Sequence, residues 1–303
     1  MTQSTVHPQS LKRLPSWFRQ ELPNMEKITG MKELFRGARL HTVCESARCP
    51  NLGKCWGQGV ATFMILGEIC TRACRFCAVK AGKAMEVDIE EPRNVALTAQ
   101  SLNLRYVVIT SVARDDLPDE GAEHFAQTIR AVRDLVPEIK IEVLIPDFSN
   151  KLESLKKVVE ACPEVVSHNM ETVRSLSNKV RPQADYDRSL EVLKNFKKLD
   201  PYIFTKSSFM VGLGETQKEI EELMRDVRGT GCDILTIGQY LAPSEMKRHL
   251  PVERFAAPEE FESYKQIGLE MGFKHVESGP LVRSSFIAEE GYKECIGKIR
   301  NQK

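Results

Sequence analysis

The chain carries two groups of three closely spaced cysteines, and cysteine thiolates are metal ligands. The downstream group, CTRACRFC, has the spacing C-x3-C-x2-C and comprises Cys70, Cys74 and Cys77. Structural zinc sites usually fill four ligand positions, and no nearby histidine completes this set. Three thiolates on a 4Fe–4S cluster instead leave one iron open, as catalytic metals do for a substrate. The spacing therefore favours a cluster whose open iron binds a co-substrate.

The upstream group, CESARCPNLGKC, has the spacing C-x4-C-x5-C and comprises Cys44, Cys49 and Cys55. Three thiolates again indicate a 4Fe–4S cluster in which one iron lacks a cysteine ligand. No further cysteine is an obvious candidate for that position. The residues alone therefore leave the fourth ligand of this cluster open.

The bulk composition narrows the class of protein. The 303 residues suffice for an α/β barrel with a full core. Lys plus Arg number 43 against 42 Asp plus Glu, which favours neither nucleic acid nor a membrane surface as partner. No run reaches the roughly 18 apolar residues of a membrane helix. Residues 1–10 are polar and show no secretory signal, so we expect a cytoplasmic protein.

A reducing compartment disfavours structural disulfides, so clustered thiols are expected to be ligands. The three remaining cysteines are isolated in the sequence. We predict them to be small buried or semi-buried hydrophobic residues; they are Cys162, Cys232 and Cys295.

From residue 61 onward, short apolar β-prone runs alternate with amphipathic helical segments. The predicted strands lie within residues 61–67, 105–112, 140–147, 164–171, 203–214 and 233–241. The predicted helices lie within residues 121–136, 149–161, 188–198, 217–229 and 258–271. This alternation indicates βαβ units and predicts a partial (β/α)6 TIM-like barrel, with a doubly wound open sheet as the alternative. Residues 1–40 are predicted to form an extension with one short helix near residues 31–36.

A β/α barrel places its chemistry at the carboxyl ends of its strands. Polar residues occur at several of these predicted ends; they are Thr110, Ser111, His168, Asn169, Glu171, Gln239 and Tyr240. They are therefore candidates for lining a ligand site.

CTRACRFC after the first barrel strand resembles the signature of the radical S-adenosylmethionine (SAM) enzymes. The upstream group, with HTV before it and ATFMILG after it, resembles the lipoyl synthase family more closely. The similarity continues through RYVVITSVARDDLPDEGAEHFA, HNMETV, KVRPQADY, MVGLGET, LTIGQYLAPS and GPLVRSSF, over about residues 40–290. It implies a partial barrel of the radical SAM type at residues 61–280. An N-terminal extension, residues 1–60, would carry the auxiliary cysteines, and residues 281–303 would form a C-terminal segment.

The resemblance also implies two 4Fe–4S clusters. The cluster on Cys70, Cys74 and Cys77 would cleave SAM to a 5′-deoxyadenosyl radical. The auxiliary cluster on the upstream cysteines would be consumed as the sulfur source. Its fourth ligand would be Ser285, in the motif RSSF. A serine oxygen on iron is easier to displace than a thiolate, which suits a cluster that must open.

Further roles follow from the same resemblance. The residues implied to bind SAM are Thr110, Ser111, Asn169, Glu171 and Arg181. Lys206 and Arg283 are candidates for substrate contact, with a solvated or ion-paired role as the alternative for each. The sequence departs from the family pattern at Ser208, Phe286 and Ile287, where Gly, Tyr and His are more usual, and none of these positions is a cluster ligand.

The activity implied is insertion of two sulfur atoms at C6 and C8 of a protein-bound octanoyl-lysine, with one SAM for each. The implied partners are an octanoylated lipoyl domain or glycine-cleavage H protein, an electron donor such as flavodoxin or ferredoxin, and an iron–sulfur carrier that repairs the auxiliary cluster. Two alternatives are a sulfur-inserting enzyme resembling biotin synthase and an iron–sulfur electron carrier. The C-x4-C-x5-C group argues against the first, and the length of the chain argues against the second.

Overall fold

The computed structural model describes residues 14–57 and 60–300. Its main sheet has eight strands in the order β1-β2-β5-β6-β7-β8-β9-β10, and a separate small sheet pairs β3 with β4. All neighbours in the main sheet are parallel except β1 and β2, which are antiparallel. The strands are β1 His41–Thr42, β2 Thr62–Ile65, β3 Ile69–Cys70, β4 Lys80–Ala81, β5 Tyr106–Ser111, β6 Lys140–Leu144, β7 Val165–Ser167, β8 Phe204–Val211, β9 Ile234–Gln239 and β10 His275–Gly279.

Helices follow most strands of the main sheet. They are α1 Met25–Gly37, α2 Val43–Ser46, α3 Leu52–Gly57, α4 Glu91–Ser101, α5 Ala122–Leu135, α6 Leu152–Glu160, α7 Ser177–Val180, α8 Tyr186–Leu199, α9 Gln217–Gly229, α10 Pro258–Glu270 and α11 Ala288–Arg300. Among the described residues, none of these helices has both the length and the apolar content that a bilayer crossing requires.

Six consecutive β/α units form the frame, from β2 with α4 to β9 with α10, and β10 adds a seventh parallel strand. The strand order ends at β1 on one side and at β10 on the other, so the sheet is an open barrel. This confirms the predicted partial (β/α)6 barrel. The amphipathic helix predicted within residues 121–136 is also confirmed, because α5 spans Ala122–Leu135 and has a fully buried apolar face of Ala122, Phe125, Ile129 and Val132.

Helix α11 covers the amino ends of the barrel strands. Cys295 packs in a small apolar cluster with Val165, Phe204 and Ile234, which are the first residues of β7, β8 and β9. The ring of Tyr292 lies against Phe204 with 5.8 Å between centroids. With this end closed by α11, the opposite end is left for ligand entry.

Two of the three isolated cysteines behave as predicted, and one does not. Cys232 and Cys295 are buried. Cys162 is exposed, so its prediction as a buried or semi-buried residue was wrong. It follows the end of α6 in the left-handed conformation, with φ of 58°, and this turn directs the side chain into solvent.

Candidate functional site

The downstream cysteines lie in the loop beyond the carboxyl end of β2. Cys70 ends β3, and Cys74 and Cys77 follow in irregular structure. Cys70 and Cys74 line a cavity of about 180 Å³ at the carboxyl ends of β5, β6 and β7. All five residues that sequence analysis assigned to SAM line the same cavity; they are Thr110, Ser111, Asn169, Glu171 and Arg181. The fold therefore brings together side chains that are up to 111 positions apart in the chain.

Among the described residues, no group of three or more His, Cys, Asp and Glu side chains is arranged to hold a single metal ion, so the thiols of this loop do not form a closed mononuclear site. Burial, with the neighbouring thiols, raises the pKa of Cys74 to about 12 and that of Cys77 to about 11. A metal that binds a buried thiol displaces its proton. The thiolate–metal bond then compensates for the hydration that the buried thiolate lacks. The Cys70 sulfur also accepts from the backbone N–H groups of Arg72 and Ala113, at 3.4 and 3.3 Å. Such hydrogen bonds stabilise thiolates that bind a cluster.

A buried ion-pair network holds this loop against the barrel. Arg72 Nη2 lies 2.7 Å from Asp147 Oδ1, and its Nε donates to Asp115 at 2.9 Å. Asp147 has a fully buried side chain and also pairs with Arg188 at 2.8 Å. Burial alone would raise the pKa of Asp147, but the ion pair with Arg72 outweighs it and lowers the pKa from 3.8 to about 2. Sequence analysis did not identify Arg72 or Asp147 as functional residues.

Replacing Asp147 with asparagine is expected to lower the free energy of unfolding by about 3 kcal/mol and to weaken SAM binding. The amide cannot balance Arg72 and Arg188, so two guanidinium groups lose their shared buried anion. Asp187→Asn is the matched control, because Asp187 pairs with Arg174 at the surface. It should change the free energy of unfolding by less than about 1 kcal/mol. Urea unfolding and SAM-binding titrations on the cluster-loaded protein measure both effects, and equal losses in the two variants would contradict the assignment.

The far wall of the cavity is built from the segment after β7. Asn169 Nδ2 donates to Glu171 Oε1 at 3.0 Å, and Arg181 Nη1 donates to the Asn169 carbonyl at 3.1 Å. Burial raises the pKa of Glu171, although the hydrogen bond from Asn169 opposes this. Glu171 has a left-handed backbone with φ of 65°, a strained conformation that tends to occur at functional sites.

Several buried polar atoms of residues that line this cavity have no partner within the described part of the chain; they are Ser111 Oγ, His168 Nε2, Asn169 Oδ1 and Arg181 Nη2. An unsatisfied buried polar atom costs about 1–3 kcal/mol, so native proteins usually satisfy such atoms. Donors and acceptors lie side by side here. The wall therefore fits a ligand that carries both an ammonium and a carboxylate group, as SAM does.

The upstream cysteines lie close to the C-terminal segment. Burial, with the nearby Cys49 and Cys55, raises the pKa of Cys44 to about 11. The Thr62 hydroxyl donates to Ser285 Oγ at 2.9 Å. Thr62 begins β2, and β2 pairs with β1, which ends directly before the helix of Cys44.

A second contact joins the same two segments, because Asn51 Nδ2 donates to the Leu281 carbonyl at 2.6 Å. Leu281 follows β10, the last strand of the sheet, whereas Thr62 begins β2 near its other side. The chain after β10 therefore crosses the opening of the barrel to reach the upstream cysteines.

Residues 241–250, which follow β9, contact both cysteine groups. Arg48 lies between Cys44 and Cys49 in the sequence, and its Nη1 donates to the Pro243 carbonyl at 3.1 Å. His249 Nε2 lies 3.0 Å from the Cys77 carbonyl. The two groups are therefore held by a common segment.

The two candidates for substrate contact both have protein partners. Lys206 Nζ lies 2.8 Å from Glu142 Oε1, and both side chains are 2% exposed. This is the ion-paired alternative for Lys206, and Lys206 is not among the residues that line the cavity. The guanidinium of Arg283 donates to the carbonyls of Gln239 and Val282, at 3.2 and 2.7 Å. Burial lowers the pKa of Arg283, and the nearby Cys49 opposes this.

Lys206→Met is expected to lower the free energy of unfolding by about 3–5 kcal/mol, because it leaves Glu142 buried without a counter-charge. Tyr106 and Ser167 still donate to Glu142, so the double variant Lys206→Met/Glu142→Gln should recover most of the loss. Urea unfolding of the two variants measures this. A normal stability together with a raised KM for an octanoyl-lysine peptide would instead make Lys206 a substrate contact.

Two family models match the sequence of this chain. The family model described as "Radical SAM superfamily" matches residues 64–227. A second model, described as "N-terminal domain of lipoyl synthase of Radical_SAM family", matches residues 3–49. The first model spans the strands and loops that form the cavity, and the second ends at the second upstream cysteine.

Curated proteins named lipoyl synthase match this sequence over nearly its whole length. The lipoyl synthase of Rubrobacter xylanophilus is 56% identical over 276 residues, which are 91% of this chain and 85% of that protein. The lipoyl synthase of Bacillus cereus is 51% identical over 304 residues, which are 100% of both chains. Neither a biotin synthase nor an electron carrier is needed to account for the sequence.

Solved structures of low identity share the fold alone. Streptococcus suis SuiB bound to S-adenosylmethionine has a TM-score of 0.53 at 13% identity, covering 81% of this chain and 58% of that one. Escherichia coli coproporphyrinogen III oxidase, a radical SAM enzyme, has a TM-score of 0.51 at 12% identity, covering 74% and 56%.

Proposed function

Because the chain belongs to the lipoyl synthase family of radical SAM enzymes, we propose that it inserts sulfur at C6 and C8 of a protein-bound octanoyl-lysine. The observation that carries this proposal is the single cavity shared by Cys70, Cys74 and the polar side chains of β5 and β7. Its thiols suit a cluster, and its unpartnered polar atoms suit the amino-acid part of SAM. The reaction is inferred from membership of the family. The geometry supports the roles proposed for the thiols, as cluster ligands, and for the polar side chains, as SAM contacts.

At the radical site, Cys70, Cys74 and Cys77 would hold the first 4Fe–4S cluster. With SAM bound, the cluster would supply the radical chemistry that removes hydrogen from the octanoyl chain. Glu171 and Asn169 accept from the ammonium group and ribose hydroxyls of SAM, and Arg181 donates to its carboxylate. Thr110 and Ser111 contact SAM from the end of β5. The buried network of Arg72 and Asp147 keeps the cysteine loop at a fixed distance from these groups.

At the auxiliary site, Cys44, Cys49 and Cys55 hold the second cluster, and Ser285 is its fourth ligand. The contacts of Thr62 with Ser285 and of Asn51 with Leu281 support this set, because they bring the C-terminal segment beside the segment of the N-terminal cysteines. The auxiliary cluster is a substrate in this proposal, since its sulfur enters the product. The segment 241–250 contacts both cysteine groups, which supports a fixed spacing between the two sites for a long acyl chain.

A lipoyl-bearing protein is the substrate carrier implied by the family. We propose specifically an octanoylated lipoyl domain or glycine-cleavage H protein. A flavodoxin or ferredoxin would supply electrons, and an iron–sulfur carrier would rebuild the auxiliary cluster after each turnover. The nine free cysteines suit a reducing compartment, which supports the predicted cytoplasmic location.

Single-turnover chemistry tests the proposal. The anaerobic protein, loaded with both clusters, is mixed with SAM, a strong reductant and an octanoyl-lysine peptide. The peptide should gain sulfur at C6 and C8, and turnover should stall near one product per chain because the sulfur source is consumed. Repeated turnover from free sulfide, with iron and cluster sulfide unchanged, would contradict a sacrificial cluster. A peptide that gains no sulfur while SAM is cleaved would contradict the sulfur-insertion reaction itself.

A further inference from the structure

We propose that Thr62 is a positioning residue for the auxiliary cluster, because its hydroxyl orients Ser285 and its strand β2 pairs with β1, directly before the helix that carries Cys44. This inference rests on the proposed function, since it concerns two of the ligands proposed there. It assigns to one strand residue the task of joining ligands that come from opposite ends of the chain.

The contact with Ser285 joins two side chains from distant parts of the sequence. Thr62 Oγ1 donates to Ser285 Oγ at 2.9 Å across 223 positions. Thr62 is 5% exposed and begins β2. A buried hydroxyl needs a hydrogen-bond partner, and within residues 14–57 and 60–300 the Thr62 hydroxyl finds Ser285 alone. A valine would pack in such a strand position at no cost in hydrogen bonding, so the hydroxyl points to a role beyond packing.

The type of hydrogen bond suits a ligand. A serine oxygen bound to iron loses its proton and can only accept hydrogen bonds. The Thr62 hydroxyl can donate at this distance of 2.9 Å, so the contact can persist when Ser285 binds iron. Threonine is β-branched and has few side-chain conformations in a strand, so its hydroxyl position is well fixed.

The strand of Thr62 provides the link to Cys44. Strand β1 pairs with β2 through Thr42 and Phe63, and Phe63 directly follows Thr62 in β2. Cys44 lies in α2, directly after β1. The start of β2 therefore lies between the segment that carries Cys44 and Ser285, although Ser285 itself lies in a segment without regular structure.

The test uses the full-length chain in which Cys70, Cys74 and Cys77 are changed to alanine, so that iron signals come from the auxiliary cluster alone. In that parent, Thr62→Val removes the hydroxyl and keeps the shape and the backbone N–H. Thr62→Ala is a second hydroxyl-free variant, and Thr62→Ser restores the donor. The measurements are the Mössbauer spectrum of the cluster and the rate at which iron passes to a ferrous chelator.

Loss of the hydroxyl is expected to release the first iron about tenfold faster and to alter the Mössbauer signal of one iron site. Thr62→Ser should match the parent. Ser285→Ala should release iron at least as fast as Thr62→Val. The double variant Thr62→Val/Ser285→Ala should equal Ser285→Ala, because Thr62 acts through Ser285.

Two outcomes would overturn the inference and are distinguishable. If both hydroxyl-free variants match the parent while Ser285→Ala releases iron faster, Thr62 does not position the ligand and the proposed ligand set stands. If Ser285→Ala also matches the parent, Ser285 is not a ligand, and the role of Thr62 falls with it. Additive effects in the double variant would also overturn the inference, since they would mean that Thr62 acts independently of Ser285.

Discussion

Changing Cys70, Cys74 and Cys77 together to alanine is expected to abolish SAM cleavage while leaving the auxiliary cluster in place. Two of these thiols, Cys70 and Cys74, line the same cavity as the polar groups proposed to hold SAM, so loss of the group removes the only site in the proposal where SAM meets iron. The upstream cysteines lie in α2, α3 and the turn between them, and Asn51 of that segment contacts the C-terminal segment through the Leu281 carbonyl. Iron and sulfide content, with 5′-deoxyadenosine measured by chromatography, gives the result.

The reciprocal variant is the control for this prediction. Changing Cys44, Cys49 and Cys55 to alanine should keep SAM cleavage and eliminate sulfur insertion. Iron content should fall by half, because the two clusters have the same stoichiometry in the proposal. If this variant lost both clusters while remaining folded, the two sites would not be independent. In that case the common segment at residues 241–250 would be the first place to examine, since it contacts Arg48 and Cys77.

Most of the barrel could be predicted from sequence because its strands and helices have strong apolar patterns. The six predicted strands correspond to β2, β5, β6, β7, β8 and β9. Strand β10 was not predicted, because its sequence HVESG has only two buried residues, His275 and Val276. Helix α4 was also not predicted, since it begins with Glu and Pro and has few large apolar residues. Tertiary packing on the barrel, and not the local pattern, stabilises these two elements.

The N-terminal helix shows a similar limit. A short helix near residues 31–36 was expected, whereas α1 begins at Met25 and ends at Gly37. The Asn24 side chain caps its first turn by accepting from the Lys27 backbone N–H at 3.1 Å. Gly30 lies inside the helix, and an internal glycine weakens the helical signal in the sequence.

The candidate site also contains residues that the sequence identified and residues that it did not. Short motifs identified the cysteines and the polar residues at strand ends, because those signals are local. The partners that hold them are not local, since Arg72 and Asp147 are 75 positions apart and Thr62 and Ser285 are 223 apart. Lys206 is a further example, because the sequence around it gives no sign that its side chain pairs with the buried Glu142. These partners are brought together by the packing of distant strands and loops in the barrel, which local sequence patterns do not reveal.

Ser285→Ala is expected to leave SAM cleavage intact and to lower sulfur insertion in a single turnover by at least about tenfold. Without the hydroxyl, the C-terminal segment loses its contact with Thr62, and the auxiliary cluster loses its proposed fourth ligand. The radical site is unaffected, because Ser285 is not among the residues that line its cavity. Products and 5′-deoxyadenosine are quantified in the same reaction, so that the ratio of sulfur inserted to SAM cleaved is measured directly.

Two further variants separate a ligand from a structural residue. Ser284→Ala changes the adjacent serine of the same motif and should have much less effect. Ser285→Cys should retain the cluster but slow sulfur release, because a thiolate holds iron more firmly than an alkoxide does. A structural role alone would predict that Ser285→Cys, which keeps the size and a polar atom, behaves as wild type. Wild-type sulfur insertion by both Ser285 variants would exclude this residue from the mechanism and leave RSSF as a turn that packs the C-terminal segment against β2.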